Sequence, residues 1–174
     1  MLKEGVKAPA FNLDSDTGRK VSLKDFVGSP LVVYFYPKDS TPGCTREAQA
    51  FTAAAPALKK LGAHVVAISK DSVKSHCSFR DKYALTIPLL SDPDLVAHKA
   101  FGAYGEKMMY GKKIMGTIRS TFVVAPDGKI ARVFPSVKVD GHAEAVLEVL
   151  RGLGDEAPKA AISKKPAAKA KKSK

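Results

Sequence analysis

Residues 31–47 decide the fold, and they read Leu31-Val32-Val33-Tyr34-Phe35-Tyr36-Pro37-Lys38-Asp39-Ser40-Thr41-Pro42-Gly43-Cys44-Thr45-Arg46-Glu47. The first six form a continuous apolar run of buried-strand length, which Pro37 ends. Pro42 suits the first turn of a helix, because the N–H that it lacks is not needed there. The stretch therefore predicts a buried strand, a loop and a helix, with the loop at the carboxyl end of the strand, where open α/β sheets place their sites.

The rest of the chain alternates in the same way. Helices are predicted over about Cys44 to Leu61, Val73 to Tyr83, Asp94 to Phe101 and Gly141 to Arg151. Further strands are predicted at His64–Ser69, Thr121–Val124 and Ile130–Phe134, with a turn at Ala125–Lys129 and a small hairpin at Asp14–Gly18. A β-α-β unit, a β-hairpin and a closing helix follow one another as in the thioredoxin-like α/β fold. We therefore predict a mixed central sheet flanked by helices.

Composition limits the classes of protein that remain. A chain of 174 residues fits one domain, which we place at residues 1–154. No apolar run approaches the roughly 20 residues that cross a bilayer, and the N-terminus lacks a signal-peptide core, so we expect a cytoplasmic protein without a membrane partner. The only cysteines are Cys44 and Cys77, and the four histidines are scattered, which gives neither a disulfide framework nor a metal site.

Residues 155–174 form a basic tail rich in Lys, Ala and Pro. The tail holds seven lysines against Asp155 and Glu156, within a net charge of +12 for the whole chain. It has almost no large apolar residue, so we predict that it is disordered. Such a tail indicates either non-specific contact with nucleic acid phosphates or a solvated extension that aids solubility. The absence of interleaved aromatic residues argues against specific recognition of single strands.

Cys44 is the candidate nucleophile. It lies in the first turn of the predicted helix, where free N–H groups and the helix dipole favour a thiolate. Reduction of a peroxide also requires that both oxygens be held in line and that charge on the departing oxygen be stabilised. Thr41 supplies a hydroxyl at the helix entrance, and Arg119, before a predicted neighbouring strand, supplies a guanidinium. Glu47, one turn after Cys44, is placed to orient that arginine.

The same residues carry a resemblance to a known family. Pro37, Thr41 and Cys44 fit the pattern Pro-x-x-x-Thr-x-x-Cys of the peroxiredoxins, and Val32–Asp39 with Arg119–Phe122 resemble the bacterioferritin comigratory protein, or peroxiredoxin Q, branch. The resemblance spans about residues 3 to 152. It implies a thiol peroxidase of antioxidant defence, in which Cys44 is oxidised to sulfenic acid, Thr41 and Arg119 activate the peroxide and Pro37 shields the site. It further implies no metal or bound cofactor and electrons from thioredoxin or another thiol, and we expect a monomer.

The second thiol of the reaction is either Cys77 or an external thiol. Many members of this branch carry a resolving cysteine five residues after the first, where this chain has Gln49. Others carry it in the helix that contains Cys77, nearer to the position of Arg80. We therefore expect Cys77 to resolve Cys44 through a disulfide after local unwinding. The alternative is a one-cysteine mechanism in which an external thiol does so.

Other interpretations stay open beside the peroxidase. His76 is either an activating base for Cys77 or a solvent-facing or capping residue. We favour the second, because neighbouring helix residues do not face each other. The body is alternatively a binding module that carries a nucleic-acid-binding tail, with redox chemistry secondary. A thioredoxin-type disulfide oxidoreductase is disfavoured, since the chain has no Cys-x-x-Cys pair.

Overall fold

A seven-stranded mixed sheet forms the centre of the fold. The computed structural model describes residues 1–161, with Met109 and residues 154–161 described by their backbone alone. The strands are β1 (Asn12–Ser15), β2 (Lys20–Ser22), β3 (Leu31–Phe35), β4 (His64–Ser69), β5 (Leu89–Ser91), β6 (Tyr104–Met109), β7 (Lys112–Thr117), β8 (Ser120–Val124) and β9 (Ile130–Phe134). The helices are α1 (Pro42–Ala53), α2 (Ala55–Lys60), α3 (Val73–Tyr83), α4 (Val96–Phe101) and α5 (His142–Ala161), with a 3-10 helix at Leu23–Phe26.

Strand β3 lies inside the sheet, whose order is β2-β1-β5-β4-β3-β8-β9. All five of its residues are buried, as the continuous apolar run predicted. It pairs in parallel with β4 and antiparallel with β8, so that Phe35, its last residue, lies opposite Ser120, the first residue of β8. This register brings Arg119 to the carboxyl end of β3, where the 37–41 loop begins.

Two hydrophobic cores cover the two faces of the sheet. Val32 and Tyr34 point into a core that α1, α2, α3 and α5 complete. Leu31, Val33 and Phe35 point the other way, into a core that contains α4 and the N-terminal segment. The alternation of β3 side chains therefore fixes which helices share a face, and it puts Cys44 and Cys77 on helices of the same face.

The prediction of one continuous helix from Cys44 to Leu61 is wrong. The structure has two helices there, α1 and α2, separated at Ala54. Pro56 is the physical reason, since it has no N–H to donate back to the carbonyl of residue 52 and stands instead in the first turn of α2. The first helix also begins earlier than predicted, at Pro42.

Three hairpins join strands that are adjacent in the chain. The hairpin around Asp14–Gly18 is confirmed as β1 and β2, and the strand–turn–strand before α5 is confirmed as β8 and β9. The third hairpin, formed by β6 and β7, was not predicted. Its tip is exposed, with Tyr110 97% accessible, which explains why the segment lacks the apolar alternation of a half-buried strand.

Helix α5 extends beyond its predicted end near Arg151 and runs to Ala161, so the expected domain boundary after residue 154 falls within its backbone. Residues 162–174 lie outside the described part of the chain, and both the disorder and the nucleic-acid contact of the tail stay predictions. Among residues 1–161, no helix combines the length and apolar character that a membrane crossing requires.

Candidate active site

The start of α1 presents Cys44 at the carboxyl end of β3. Thr41 is the N-cap residue in extended conformation, and Pro42 occupies the first helical position, as expected from the sequence. The first main-chain bond of the helix runs from the Thr45 N–H to the Thr41 carbonyl, at 2.9 Å. The N–H groups of Gly43 and Cys44 precede that bond, so they face the helix entrance with the positive end of the dipole. This is an environment that stabilises a negative sulfur.

Arg119 completes the anion site from the neighbouring strand. Its Nη2 donates to Cys44 Sγ at 3.2 Å, and its Nη1 donates to Glu47 Oε1 at 2.6 Å. The Glu47 side chain is 1% exposed and that of Arg119 is 20% exposed. Both contacts were expected from the sequence, and both are present: one guanidinium is shared between the sulfur and the carboxylate.

The charges of this group are coupled. Burial raises the pKa of Glu47 to about 7, although the adjacent Arg119 opposes the change. Only one oxygen of the Glu47 carboxylate, Oε1, accepts a hydrogen bond, because Oε2 is buried without a partner among the described residues. Burial opposes the charge of Arg119, but the nearby Cys44 and Glu47 outweigh it and raise the pKa of the guanidinium. The arginine therefore stays charged while Glu47 titrates near neutral pH.

Gly43 is a site residue that the sequence analysis did not single out. A Cβ at this position would lie 3.2 Å from Arg119 Nη2 and 3.8 Å from its Cζ. Contacts as short as the first are rarely seen, so a side chain would push the guanidinium from its place over the helix entrance. The signal in the sequence is the glycine itself, next to the candidate nucleophile in a helix where glycine is otherwise unfavourable.

Thr41 and Pro37 lie at the two ends of the loop between β3 and α1. Thr41 is half-buried, and its hydroxyl donates to the Lys38 carbonyl at 2.9 Å, which folds the loop back on itself. Pro37 is half-buried at the end of β3. Cys44 itself is only 1% exposed, so its side chain is almost completely enclosed by the surrounding residues.

Lys107, on β6, is a further cation on this side of the molecule and was not predicted. Its ammonium donates to the Thr117 carbonyl at 2.9 Å. Burial and the positive charge of Arg119 lower the pKa of Lys107, while the charge of Cys44 acts in the opposite direction. The positive charge of Lys107 therefore interacts with the Cys44 site. No local sequence motif indicates this relationship.

The prediction that His76 is solvent-facing or capping is wrong. Its side chain is completely buried, and its Nδ1 lies 2.7 Å from Asp39 Oδ2. Its Nε2 lies 3.0 Å from the Leu90 carbonyl, which can only accept, so this nitrogen carries a proton. The partner, Asp39, lies 37 residues earlier in the loop before Cys44, and only the fold reveals the pair.

The structure does not bring Cys77 close to Cys44. Cys77 is half-buried, and its Sγ donates to the Asp16 carbonyl at 3.3 Å, at the end of β1. Cys44 bonds Arg119, directly before β8, and β1 and β8 are four positions apart in the sheet. The two sulfurs therefore contact different residues, beside strands that are well separated in the sheet order. Both thiols are free.

The surroundings of Cys77 include Arg80, one turn further along α3. Arg80 Nη1 donates to the same Asp16 carbonyl at 2.8 Å and to Asp16 Oδ2 at 3.1 Å. A guanidinium is therefore placed beside the second thiol as well as the first. Within residues 1–161, no group of three or more His, Cys, Asp or Glu side chains is arranged to hold a metal ion.

A thiol at a helix entrance, paired with a guanidinium and set at the end of a central strand, defines a thiol-based redox enzyme of thioredoxin-like fold. Comparison with known proteins agrees. The AhpC/TSA family model matches residues 5–133. Peroxiredoxin Bcp of Escherichia coli is 41% identical over 150 residues, covering 86% of this chain and 96% of the relative. Peroxiredoxin Bcp of Xanthomonas campestris is 47% identical over 134 residues, covering 77% and 84%.

Solved structures lead to the same conclusion. The bacterioferritin comigratory protein of Xanthomonas campestris, studied for its alkyl peroxide reduction activity, superposes with a TM-score of 0.81 at 42% identity and covers 87% of this chain and 99% of its own. Peroxiredoxin Q of Xylella fastidiosa, as a cysteine-to-serine mutant, gives 0.82 at 38% identity, with coverages of 87% and 97%. The chain belongs to the AhpC/TSA family, in its Bcp or peroxiredoxin Q branch. It is a thiol peroxidase, with a peroxide as oxidant and a thiol as reductant.

Proposed function

We propose that this chain reduces hydrogen peroxide and organic hydroperoxides to water and alcohols through Cys44, and that thioredoxin or another thiol then recycles it. The observation that carries the proposal is the 3.2 Å contact between Arg119 Nη2 and Cys44 Sγ at the start of α1. A cation fixed at this distance stabilises the thiolate and also the charge that develops on a bound peroxide.

The first half-reaction oxidises the sulfur. The Cys44 thiolate attacks one peroxide oxygen, an S–O bond forms and the O–O bond breaks. The second oxygen leaves as hydroxide or alkoxide and takes up a proton, which leaves Cys44 as a sulfenic acid. Arg119 and the Thr41 hydroxyl hold the two oxygens in line, Glu47 positions the guanidinium, and Pro37 shields the site from bulk water.

The second half-reaction returns the sulfur to the thiol. Cys77 attacks the Cys44 sulfenic acid, an S–S bond forms and water leaves. A thiol reductant then cleaves the disulfide by exchange. Two features support Cys77 over a purely external thiol: it is half-buried and so accessible on local opening, and Arg80 donates to the same Asp16 carbonyl that Cys77 contacts, which places a cation beside this thiol.

Stopped-flow peroxide consumption tests the first half-reaction. Wild type is expected to consume one equivalent of peroxide rapidly without added thiol, and Cys44→Ser is expected to consume none. Cys77→Ser is the matched control, because it also removes one thiol but leaves the attacking sulfur. Equal rates in Cys44→Ser and wild type would exclude Cys44 as the attacking thiol.

Mass spectrometry of the same samples tests the second half-reaction. One equivalent of peroxide should yield a peptide in which Cys44 is joined to Cys77 in wild type, and a trapped Cys44 sulfenate in Cys77→Ser. A sulfenate that persists in wild type would show instead that an external thiol resolves the intermediate. Turnover assays with thioredoxin and with a small-molecule thiol then identify the class of reductant.

A further inference from the structure

The 37–41 loop, which leads into the helix that carries Cys44, is held against α3 through one buried carboxylate. The Asp39 side chain is 4% exposed and has three polar partners: Tyr36 Oη donates to it at 2.6 Å, Ser75 Oγ donates to it at 2.7 Å, and His76 Nδ1 lies 2.7 Å from its Oδ2. Two of the three partners belong to α3. The active-site loop and the helix that carries Cys77 are thus joined by a single polar centre, which we call the Asp39 clamp.

The main chain of the loop is held at the same point. The Asp39 N–H donates to Asp71 Oδ2 at 2.8 Å, and the Ser69 hydroxyl supports that carboxylate at 2.8 Å. The next residue, Ser40, has a φ of 64°, in the left-handed region that costs free energy for a residue other than glycine. A conformation of this kind persists only where its surroundings impose it. The Asp39 clamp imposes it one residue before Thr41.

The position of His76 gives the clamp a second consequence. His76 is directly adjacent to Cys77 in α3, and its ring is completely buried. Cys77 Sγ contacts the Asp16 carbonyl beside β1, whereas Cys44 Sγ contacts Arg119 beside β8, and both thiols are free. A disulfide requires the two Cα atoms to lie within about 7 Å. The turn that carries Cys77 must therefore unwind to form the disulfide, and unwinding it withdraws His76 from Asp39.

We propose that His76 is a positioning residue that holds the peroxide-reducing arrangement through Asp39, and that its release is the step that permits Cys77 to reach Cys44. This proposal rests on the proposed function and deepens it. With the clamp closed, Thr41 is fixed and the sulfur reacts with peroxide. With it open, the strain at Ser40 relaxes, the loop is freed and the two sulfurs can meet. The same contact therefore favours the first half-reaction and opposes the second.

The variant His76→Gln tests this. Glutamine can still reach the Leu90 carbonyl, which Nε2 contacts, but has no atom that replaces Nδ1, which faces Asp39. We expect Cys44 oxidation by peroxide to slow by roughly tenfold and the later formation of the disulfide to accelerate by roughly tenfold, the size expected for a lost hydrogen bond to a charged group. Over-oxidation of Cys44 by excess peroxide should fall accordingly.

His98→Gln is the matched control. His98 is also completely buried and also pairs with a carboxylate, Asp92, at 2.7 Å through Nδ1. Its Nε2 contacts Thr117 Oγ1 at 3.0 Å, which a glutamine can likewise reach. His98 lies on α4, which packs on the opposite face of the sheet, and Asp92 lies between β5 and that helix. The control should lose stability as His76→Gln does, but without opposite changes in the two rates.

The outcomes separate the clamp from the proposed function. If wild type shows no Cys44-dependent peroxide consumption, the proposed function fails. If wild type is active and His76→Gln slows both steps or matches His98→Gln, the clamp fails. Should His76→Gln not fold, Ser75→Ala removes a single hydrogen bond to Asp39 and should change both rates in the same opposite directions, by a few-fold.

Hydrogen exchange on wild type tests the clamp without a substitution. Oxidation to the Cys44–Cys77 disulfide should remove protection from the amides of residues 75–79 and from the Asp39 amide together, because one centre holds both. The amides of α4 around His98 should stay protected. Loss of protection in α3 while the Asp39 amide stays protected would overturn the proposal.

Discussion

Arg119 Nη2 lies 3.2 Å from Cys44 Sγ, although 75 residues separate the two in the chain. The antiparallel pairing of β3 with β8 accounts for this, because it sets Ser120 opposite Phe35 and leaves Arg119 beside the loop that follows β3. The second half of the guanidinium fork is held by Glu47. The register of β3 with β8 and the helical turn from Cys44 to Glu47 thus position the Arg119 guanidinium at the Cys44 sulfur. No single sequence motif contains both Arg119 and Cys44.

Arg119→Lys should lose most of the peroxidase rate. Lysine keeps the charge, but a single ammonium cannot hold Cys44 and Glu47 through a planar fork. We expect the second-order rate constant of Cys44 oxidation to fall by about 10² to 10³, the usual cost of a lost transition-state donor. Stopped-flow measurement of the first turnover checks this. Arg132→Lys, which changes an exposed arginine on β9, is the control, and a similar loss there would argue against a specific role for the fork.

Gly43→Ala tests the space beneath the guanidinium. The added Cβ would lie 3.2 Å from Arg119 Nη2, so we expect the arginine to move by a few tenths of an ångström and the rate of Cys44 oxidation to fall several-fold. Gly152→Ala is the matched control: it also places alanine in a helix, and nothing lies within 4 Å of its Cβ. That control should raise stability by up to about 1 kcal/mol and leave the rate unchanged. A rate for Gly43→Ala equal to wild type would show that the contact is unimportant.

Much of the site could be predicted because it is local in the sequence. One strand–loop–helix segment contains Thr41, Cys44 and Glu47. The residue types of that segment predict its structure, so the three side chains could be placed from the sequence. Arg119 required the added expectation that its strand lies beside β3. The extra break in the first helix could also have been predicted, since Pro56 lies within the predicted span.

The missed features depend on distant partners. His76 has the local pattern of a polar helix residue, and only Asp39, 37 residues away, explains its burial. Strand β5 has three residues, too few for a periodic signal, and exists because β4 and β1 flank it. Within residues 1–161, the hairpin of β6 and β7 pairs with no other strand, so its exposed faces carry no alternation. Tertiary context decided each of these.

Glu47 should give the peroxidase a pH dependence near neutrality. Its pKa is raised to about 7 by burial, so the carboxylate that holds Arg119 forms only as the pH rises through that value. We expect the rate of Cys44 oxidation to rise with pH around 7 in wild type and this part of the profile to vanish in Glu47→Gln, which keeps an acceptor for Arg119. Rate constants measured from pH 5.5 to 8.5 check this. An unchanged profile in Glu47→Gln would assign the titration to another group.

The same ionisation should affect stability in the opposite direction. Between pH 4.5 and about 7, folded Glu47 holds its proton while the unfolded chain releases it, so the free energy of unfolding falls as the pH rises. Over the full window the difference amounts to at most about 3 kcal/mol. Denaturant titrations at several pH values should therefore show that Glu47→Gln gains stability relative to wild type with rising pH. A constant difference would contradict the raised pKa.

His142 should act with the opposite sign. Burial lowers its pKa to about 4, with the positive charge of Arg119 acting in the same direction. Between pH 6.5 and about 4 the unfolded chain binds a proton that the folded chain does not, so stability falls as the pH falls. His142→Gln, which can keep the 2.8 Å contact of Nε2 with Thr121, should remove this acid sensitivity, whereas His64→Gln, at an exposed histidine, should not.

The double variant Glu47→Gln/His142→Gln distinguishes these two titrations from the rest of the chain. In the shared window, from about pH 4.5 to 6.5, Glu47 lowers and His142 raises the stability as the pH increases, so the two contributions partly cancel in wild type. Each single variant should therefore tilt the stability profile in its own direction, and the double variant should return it close to the wild-type slope. Because both groups interact with the charge of Arg119, any departure from additivity measures how strongly that guanidinium couples them. If the double variant keeps the pH slope of either single variant, only one of the two groups has the shifted pKa.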